Sequence, residues 1–544
     1  MSHSRRRFLK TAAAIGLGAG VLGYEQWTGK LSRWGVPIDL YLPGMKEGHR
    51  LRDKTPLPEP TEVMTTGVVI VGSGAAGLFA AWRLQQAGRR DFLLIEGPEL
   101  GGNMAGGSFD GLMYPRGAHY LPLPSMSSRH VRELLFDMGV IQTDPFSTSP
   151  AYRESALVHF PDERLWFNQA WHEGLLPSEG VSEVHLAQQT RFFQYVEKLK
   201  TTIGRDGRRA FDIPLVLSSQ DEEWRALDQI SFAQWLSQKG YTAPELLWYL
   251  DYICRDDYGI GSAQTSAWAG LHYFAGRDGR GQQNGLPLSG VMLTWPDGLG
   301  AVARHLAQNL TLEQRIKGVA TRIREHEQQV SVDVLLADGK VCRIQAEQVV
   351  CATPLHVAAK IIEDFASLIG QHSLVELERS AWQVSNFLMK RLPDESTPSS
   401  MAWENIVYGS PSLGFVNASN QLIRRHVDAP VVLSAYHAYA HESPTQARQR
   451  LIKQDVDELF EVAAQDLNAV YGKHWLRQLE RVEITLRGHA MASPTVGFLS
   501  HQRLNSLRSL DGRIILAHSD LSGLSVFEEA AWWGNRAANV ILSR

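Results

Sequence analysis

Val68-Val69-Ile70-Val71-Gly72-Ser73-Gly74-Ala75-Ala76-Gly77 is the stretch on which the fold turns. Its four β-branched or apolar residues make a strand of the kind buried on both faces of a parallel sheet, and the strand runs directly into GxGxxG. Leu78-Phe79-Ala80-Ala81-Trp82-Arg83-Leu84 then continues at helical spacing until Gly88 stops it. The three glycines serve different needs, for Gly72 permits the tight turn, Gly74 lets backbone approach a pyrophosphate, and Gly77 lets helix pack on strand. Ala75 and Ala76 complete the loop, and the helix N-terminus that begins there attracts negative charge. A second apolar strand, Phe92-Leu93-Leu94-Ile95, ends in Glu96, about 20 residues beyond the loop, where a carboxylate accepts from ribose hydroxyls. An acid rather than a base at this point argues against a 2′-phosphate. The pattern specifies an α/β fold with a Rossmann-type doubly wound dinucleotide-binding domain.

The rest of the chain must supply further folding units, because 544 residues exceed one ordinary core and divide into two or three units of roughly 100–200 residues. A hydrophobic fraction of 44%, a charged fraction of 21% and a net charge of −4 are ordinary for a protein with a real core. Neither sign of charge dominates, and Lys and Arg are scattered outside the first ten positions, so there is no electrostatic footprint for nucleic acid. The three cysteines, Cys254, Cys342 and Cys351, include no CxxC pair. They specify neither a disulfide framework nor a metal site, and buried free thiols are the plain reading. Cys342 and Cys351 pair only if their strands bring them within reach.

The N-terminus reads as an address. Ser4-Arg5-Arg6-Arg7-Phe8-Leu9-Lys10 precedes an uncharged small-residue stretch from Thr11 to Gly23, a charged region followed by a short apolar one. The stretch is too short and too rich in Gly and Ala for a membrane span, which needs about 20 strongly apolar residues. The Arg pair before Phe-Leu-Lys resembles the twin-arginine export motif, which implies the twin-arginine machinery as a partner, a periplasmic location and a protein folded around a cofactor before transport. No Ala-x-Ala follows Gly23, which leaves open a weak membrane tether through an uncleaved signal. From Tyr41 to Glu62 the chain is rich in Pro, Gly and charge, with Pro56-Leu57-Pro58-Glu59-Pro60 as its centre, and reads as a linker. Residues 1–30 are thus expected to be signal and 31–64 linker.

After Glu96 come Gly97-Pro98-Glu99-Leu100-Gly101-Gly102-Asn103-Met104-Ala105-Gly106-Gly107 and Tyr114-Pro115-Arg116-Gly117-Ala118-His119-Tyr120-Leu121-Pro122. This segment resembles the flavin-containing amine oxidoreductases, the superfamily of monoamine and polyamine oxidases, phytoene desaturases and protoporphyrinogen oxidase. There an acid and a Gly-Gly pair follow the second strand, and a Gly-Ala step lies near the flavin ring. The resemblance implies FAD rather than NAD, held by Gly101, Gly102, Gly117 and Ala118 besides the fingerprint residues. It recurs at Trp295-Pro296-Asp297-Gly298-Leu299-Gly300, in the β-rich stretch from Ile316 that leads into Val349-Val350-Cys351-Ala352-Thr353-Pro354, and at the C-terminus. By analogy Val319 lies near the adenine. Arg513-Ile514-Ile515-Leu516, Ala517-His518-Ser519-Asp520 and Glu528 to Ala538 match the family's final acid-plus-helix motif, which places Asp520 at the ribityl or pyrophosphate group and aims the helix beginning near Phe527 at the flavin. No cysteine follows Cys351, so the thioether link that some amine oxidases make to flavin cannot form, and noncovalent FAD is expected.

The sequence also departs from the family. Asn103 stands where many members carry Arg after the Gly-Gly pair, and Arg116 is the candidate replacement for meeting the pyrophosphate. Asn386, in the strand Trp382 to Met389, stands where many members carry a lysine that holds a water against flavin N5. Lys390, four residues on and on the same face of a regular strand, is the second catalytic candidate. On the substrate side, Tyr252 to Gly259 and Trp268 to Arg277 mix aromatic and charged residues, which suits either a pocket or a helical core. Trp403-Glu404-Asn405, Tyr408, Tyr436-His437 and Arg487-Gly488-His489 are further pocket candidates. The expected chemistry is hydride transfer from an amine, polyamines included, or a related small substrate to flavin N5, with reoxidation by oxygen or a respiratory acceptor. The alternatives are a flavin-dependent desaturase or isomerase on an apolar substrate, and a non-catalytic FAD-stabilised binding protein. The expected layout is an FAD domain from residues 65–140, 291–360 and 485–544, interleaved with an α+β substrate domain containing a mixed sheet from residues 141–290 and 361–484.

Overall fold

The computed structural model describes residues 26–368, 377–395, 401–422 and 428–544. The fingerprint strand Glu62–Val71 lies near the centre of a seven-stranded sheet. It pairs in parallel with Phe92–Ile95 on one side and, along its whole length, with Val341–Cys351 on the other. Arg315–Ile316 extends the sheet beyond Phe92–Ile95, again in parallel. The far edge of Val341–Cys351 is shared: its first half pairs antiparallel with Val330–Leu336, which continues to Gly318–Glu325, and its second half pairs in parallel with Ile514–Leu516. Val68, Val69, Ile70, Leu94, Val349 and Ile515 are fully buried, as strands of a covered parallel sheet must be. The helices Ala75–Gln86, Gly300–Ala307 and Phe527–Leu542 pack into the same core.

The second sheet is mixed and has nine strands, in the order Gln26–Leu31, Pro37–Tyr41, Leu479–Ala492, Arg379–Met389, Val431–Ala438, Phe415–Asn417, Glu404–Val407, Glu163–Phe167 and Ala170–Glu173. Only two of its pairings are parallel, Pro37–Tyr41 with Leu479–Ala492 and Glu163–Phe167 with Glu404–Val407. Along Arg379–Met389, Ala381, Phe387 and Met389 pack into one core with the helices Pro444–Lys453, Val456–Ala463 and Gln465–Tyr471, while Trp382 and Val384 enter another with Tyr252, Trp403 and Tyr436. That division follows the two-residue period of a strand. Helices Glu183–Lys200, Phe232–Gln238, Pro244–Tyr258 and Ala267–Ala275 share a further aromatic core.

Two expected boundaries move. The export-signal reading rests on Arg5 and Arg6 and on the stretch ending at Gly23, which lie outside the described residues. From Gln26 onward, however, the chain is built into the fold: the first two strands of the nine-stranded sheet and the helix Met45–Arg52 fall within the presumed signal and linker, and only Asp53 to Thr61 is irregular. Ile38 is fully buried, and Val36 and Leu42 are largely so. A short apolar strand hidden among Pro, Gly and charge is lost in an average over composition. Leu479–Ala492 crosses the boundary expected at residue 484, so residues 485–492 belong to the substrate sheet. None of the described helices is long and apolar enough to cross a membrane, and the three cysteines are free and buried.

Candidate cofactor and substrate site

The glycine-bearing loops converge because their missing side chains let backbone segments touch. A Cβ on Gly77 would lie 1.8 Å from the Gly72 carbonyl oxygen, one on Gly534 2.2 Å from the Ala76 oxygen, and one on Gly117 2.2 Å from the Asn103 oxygen. Gly101 N donates to the Ser73 carbonyl at 2.9 Å, and Ala118 N to that of Asn103 at 2.8 Å. Gly74 differs from these, for a Cβ there would meet nothing within 4 Å. It opens onto free space at the N-terminus of Ala75–Gln86, a 12-residue helix that no side chain caps. The N–H groups of that first turn are left for an anion, so the residues present fit a pyrophosphate. The final helix Phe527–Leu542 likewise begins at Val526 without a side-chain cap.

The outer members of the motif fall into place around this loop. Glu96 ends its strand with Oε1 accepting from Arg315 Nε at 2.7 Å, and Gly97 N donates to the Gly318 carbonyl at 3.0 Å, which sets Val319 beside the acid. Asp520 is fully buried; Arg379 Nη1 donates to Oδ1 at 2.9 Å, Nη2 pairs with Oδ2, and Leu355 N donates to Oδ2 at 2.7 Å. Burial alone would push this carboxyl up, but His518 and Arg379 hold it well below the usual carboxylate range. Its side chain is committed within the protein, and only the surrounding backbone is left for a ligand, which corrects the contact expected of Asp520. Arg379, which provides this pairing, carries no signal in the local sequence.

Arg116 also requires correction. Its Nε and Nη2 donate to Glu483 at 2.7 and 2.6 Å, Tyr114 donates to the same carboxylate at 2.8 Å, and the guanidinium lies 4.1 Å from the Tyr41 ring centroid. A guanidinium so engaged does not stand in for the missing Arg at Asn103. Asn103 itself donates from Nδ2 to the Ala490 carbonyl at 2.7 Å, joining the Gly-Gly turn to the substrate sheet. Arg487 makes a similar tie, donating to Glu99 at 2.7 Å and to the Gly102 carbonyl at 3.1 Å. Asn386 is fully buried, donates to the Pro115 carbonyl at 2.9 Å and accepts from Ser434 Oγ at 2.6 Å. It braces the turn that leads into Gly117 and Ala118. Lys390 lies exposed beyond the end of its strand, so it is not a catalytic candidate; the charged end of a strand belongs to solvent.

Beyond Ala118 the chain enters an aromatic box. The His119 ring lies 4.4 Å from Tyr436 and 5.5 Å from Trp403, and Tyr436 donates to the Gly117 carbonyl at 3.2 Å. Burial pushes His119 down to about 3, so its imidazole is neutral. Trp248, Tyr252 and Asp256 recur four residues apart on Pro244–Tyr258 and share one helix face. Tyr120 donates to Asp256 at 3.2 Å and Tyr252 to Glu404 at 3.3 Å. Burial and the neighbouring Asp257 push Asp256 up to about 7, and burial with the charges of Asp256 and Glu163 pushes Glu404 well above the carboxylate range. Asp256, Glu404, Tyr120 and Tyr273 are surrounded by protein, yet each keeps some surface accessible to water. Among the described residues neither Asp256 nor Glu404 forms an ion pair; Arg277 pairs with Asp257 at 2.6 Å and Arg255 with Asp251 at 3.0 Å, and both guanidinium charges act on Asp256 only through space. Tyr252, Asp256 and Glu404 stand in stretches singled out from the sequence, but their facing each other is tertiary. No cluster suited to a metal ion occurs among the described residues.

Comparison with known proteins agrees with this geometry. Residues 75–542 match the family model of the flavin-containing amine oxidoreductases. No curated protein matches the sequence. Among solved structures, a putrescine oxidase bound to putrescine superposes with a TM-score of 0.60 at 18% identity, covering 89% of this chain and 100% of its own. Cyclohexylamine oxidase from Brevibacterium oxydans gives 0.58 at 15% identity, over 88% and 100%. A conjugated-linoleic-acid-producing fatty acid isomerase from P. acnes gives 0.58 at 16% identity, over 87% and 98%. At these identities the structures share a fold, an FAD-binding domain joined to a substrate domain, whereas the family match spans most of the sequence. The chain, a flavin-dependent oxidoreductase, therefore belongs to the flavin-containing amine oxidoreductases.

Proposed function

We propose that the protein oxidises a cationic amine held by Asp256 and Glu404. The observation that carries this reading is a pair of buried carboxylates without ion-pair partners in an aromatic box that begins at Gly117-Ala118. Burying an unpaired charge is costly, which is why both carboxyls are pushed toward their neutral form; an ammonium group would provide the counter-charge that lets them ionise, with the faces of Tyr120, Tyr252 and Trp403 to receive it. Bound FAD supplies the hydride acceptor at N5, and oxygen or a respiratory acceptor reoxidises it. The fingerprint loop, Gly101-Gly102, Gly117-Ala118 and the uncapped start at Phe527 are the residues we assign to FAD, with Glu96 at the ribose and Val319 at the adenine. Attachment is noncovalent in this reading, since all three cysteines are buried and none follows Cys351. Neutral His119 and the phenols orient the amine, and Asn386 keeps the Pro115 turn in place without acting on the substrate.

The same carboxyls favour this reading over the desaturase or isomerase alternative, whose apolar substrate would leave them protonated and without a role. Anaerobic mixing of the purified flavoprotein with putrescine, spermidine, simple monoamines and unsaturated fatty acids separates these readings. Bleaching by an amine, with Glu404→Gln raising the concentration needed, is the expected result. Bleaching or isomerisation of fatty acids alone, or a persistent oxidised spectrum with every amine, overturns it. We further propose export by the twin-arginine route, supported by Arg5-Arg6 before Phe8-Leu9-Lys10; replacement of Arg5 and Arg6 by lysines should retain the protein in the cytoplasm.

A further inference from the structure

The segment that opens the described chain does more than extend a sheet. We propose that residues 26–53 are a strap that retains the dinucleotide, and that Tyr41 is its positioning residue; this rests on the FAD reading above. The strap starts in the substrate domain, where Pro37–Tyr41 pairs with Leu479–Ala492, Ile38 is fully buried, and Trp34 packs 4.8 Å from Phe460. It then crosses to the nucleotide domain. Gly44, with φ of +74°, makes the turn so close to Pro98 that a Cβ would lie 3.1 Å from that ring. Helix Met45–Arg52 lies against helix Leu355–Ile361, and Leu51 packs on the nucleotide-domain core.

Tyr41 stands at the crossing. Its hydroxyl lies near enough to the Glu99 carboxylate to feel its charge, and the Arg116 guanidinium lies over its ring, 4.1 Å from the centroid. Burial and the Glu99 charge push the phenol far above its ordinary range, so it remains a hydrogen-bond donor. Glu99 leads into Gly101-Gly102, and Arg116 leads into Gly117-Ala118. One side chain is thus wedged between the loops of Glu99 and Arg116, the first of which reaches Gly74 through Gly102, and a dinucleotide seated in front of Gly74 leaves only when those loops part. Beyond the strap, Asp53 to Thr61 is irregular and largely exposed, which lets the strap undock without unravelling the nucleotide sheet. The family match begins at residue 75, C-terminal to the strap. Retention of this kind suits a protein diluted away from its cofactor supply.

The test uses the full-length holoprotein. FAD release is followed by the rise in fluorescence of freed flavin after dilution, for the parent chain, Tyr41→Phe and Tyr41→Ala. We expect release at least tenfold faster from Tyr41→Ala and an intermediate rate from Tyr41→Phe, which keeps the ring under Arg116 but loses the hydroxyl beside Glu99. Linkage is reciprocal, so bound FAD should slow tryptic cleavage of the parent chain at Arg33, Arg50 and Arg52; this second measurement needs no variant to fold. Release from Tyr41→Ala within twofold of the parent, or strap cleavage indifferent to FAD, overturns the strap alone. A chain that takes up no FAD overturns the cofactor reading and the strap with it.

Discussion

Replacing Gly74 or Gly534 by alanine adds the same methyl group to two neighbouring helices and should have opposite consequences. At Gly534 the new Cβ would stand 2.2 Å from the Ala76 carbonyl oxygen, against backbone that cannot rotate away. Ala75–Gln86 and Phe527–Leu542 must then separate, and overpacking of this kind costs about 1–3 kcal/mol. At Gly74 the methyl meets nothing within 4 Å and the backbone has φ of −71°, open to any residue. The smaller entropy of the unfolded chain, worth about 0.4–1 kcal/mol, roughly offsets the poorer helix start, so the apoprotein should keep its stability. The methyl nevertheless occupies the space that a pyrophosphate needs. Loss of one charge-assisted hydrogen bond costs about 1.5–3 kcal/mol, which is roughly a 10- to 150-fold rise in the FAD dissociation constant. Urea unfolding of each apoprotein, paired with titration of FAD by fluorescence quenching, reads both quantities. Gly74→Ala binding FAD within threefold of the parent would refute the assignment of the loop. Gly74→Ala losing as much stability as Gly534→Ala would refute the open-space geometry.

Other expectations rest on the buried polar groups. Arg379→Ala leaves the Asp520 carboxylate buried without its main partner and should cost about 3–5 kcal/mol in urea unfolding, with Asp520→Asn in the same chain recovering part of it. Asn386→Leu unpairs the Pro115 carbonyl and Ser434 Oγ, and the predicted loss is about 1–3 kcal/mol with weaker FAD binding, because that turn leads into Gly117-Ala118. Burial raises Glu163, Asp256 and Glu529 each to about 7, from about 4 in the unfolded chain. At these three carboxyls the folded protein binds more protons through that window, so their contribution to stability falls as pH rises from about 4 to about 7. His119, His130, His272, His356, His437 and His489, lowered by burial to about 3 or 4 from about 6.5 in the unfolded chain, instead contribute stability that is gained as pH rises from about 4 to about 6.5. Asp520, held low, opposes the carboxyl trend only when pH falls below the usual carboxylate range. The Glu163→Gln apoprotein should therefore lose less, or gain more, melting temperature than the parent between pH 6 and pH 8, because only the parent must release that proton; identical pH profiles would contradict the raised Glu163.

The nucleotide domain is legible in the sequence because its signals are local. The strand Val68–Val71, the glycines and the acid at Glu96 lie within 29 consecutive residues, and each glycine answers a constraint set by its immediate turn. The distant pieces at Val349–Pro354 and at Ile514–Ala538 join it through the resemblance to a family. Side-chain commitments are not legible. Whether Arg116 faces a phosphate or Glu483, and whether Asp520 faces a ligand or Arg379, depends on residues more than 100 positions away. The segment from Gln26 to Arg52 reads as signal and linker by composition, although the alternation through Val36, Ile38 and Leu42 marks a strand.

The sequence by itself thus determined the class of fold, which short-range periodicity and backbone sterics encode, while its resemblance to a family implied the cofactor type and an interleaved layout. Only the tertiary structure decided that Asn386 is a brace, that Lys390 lies outside the site, that Asp256 and Glu404 meet the hydroxyls of Tyr120 and Tyr252 and that Tyr41 lies between two loops. Those facts are relations between surfaces brought together by burial. An ionisable side chain takes its role from the partner it meets there, which the chain specifies only by folding.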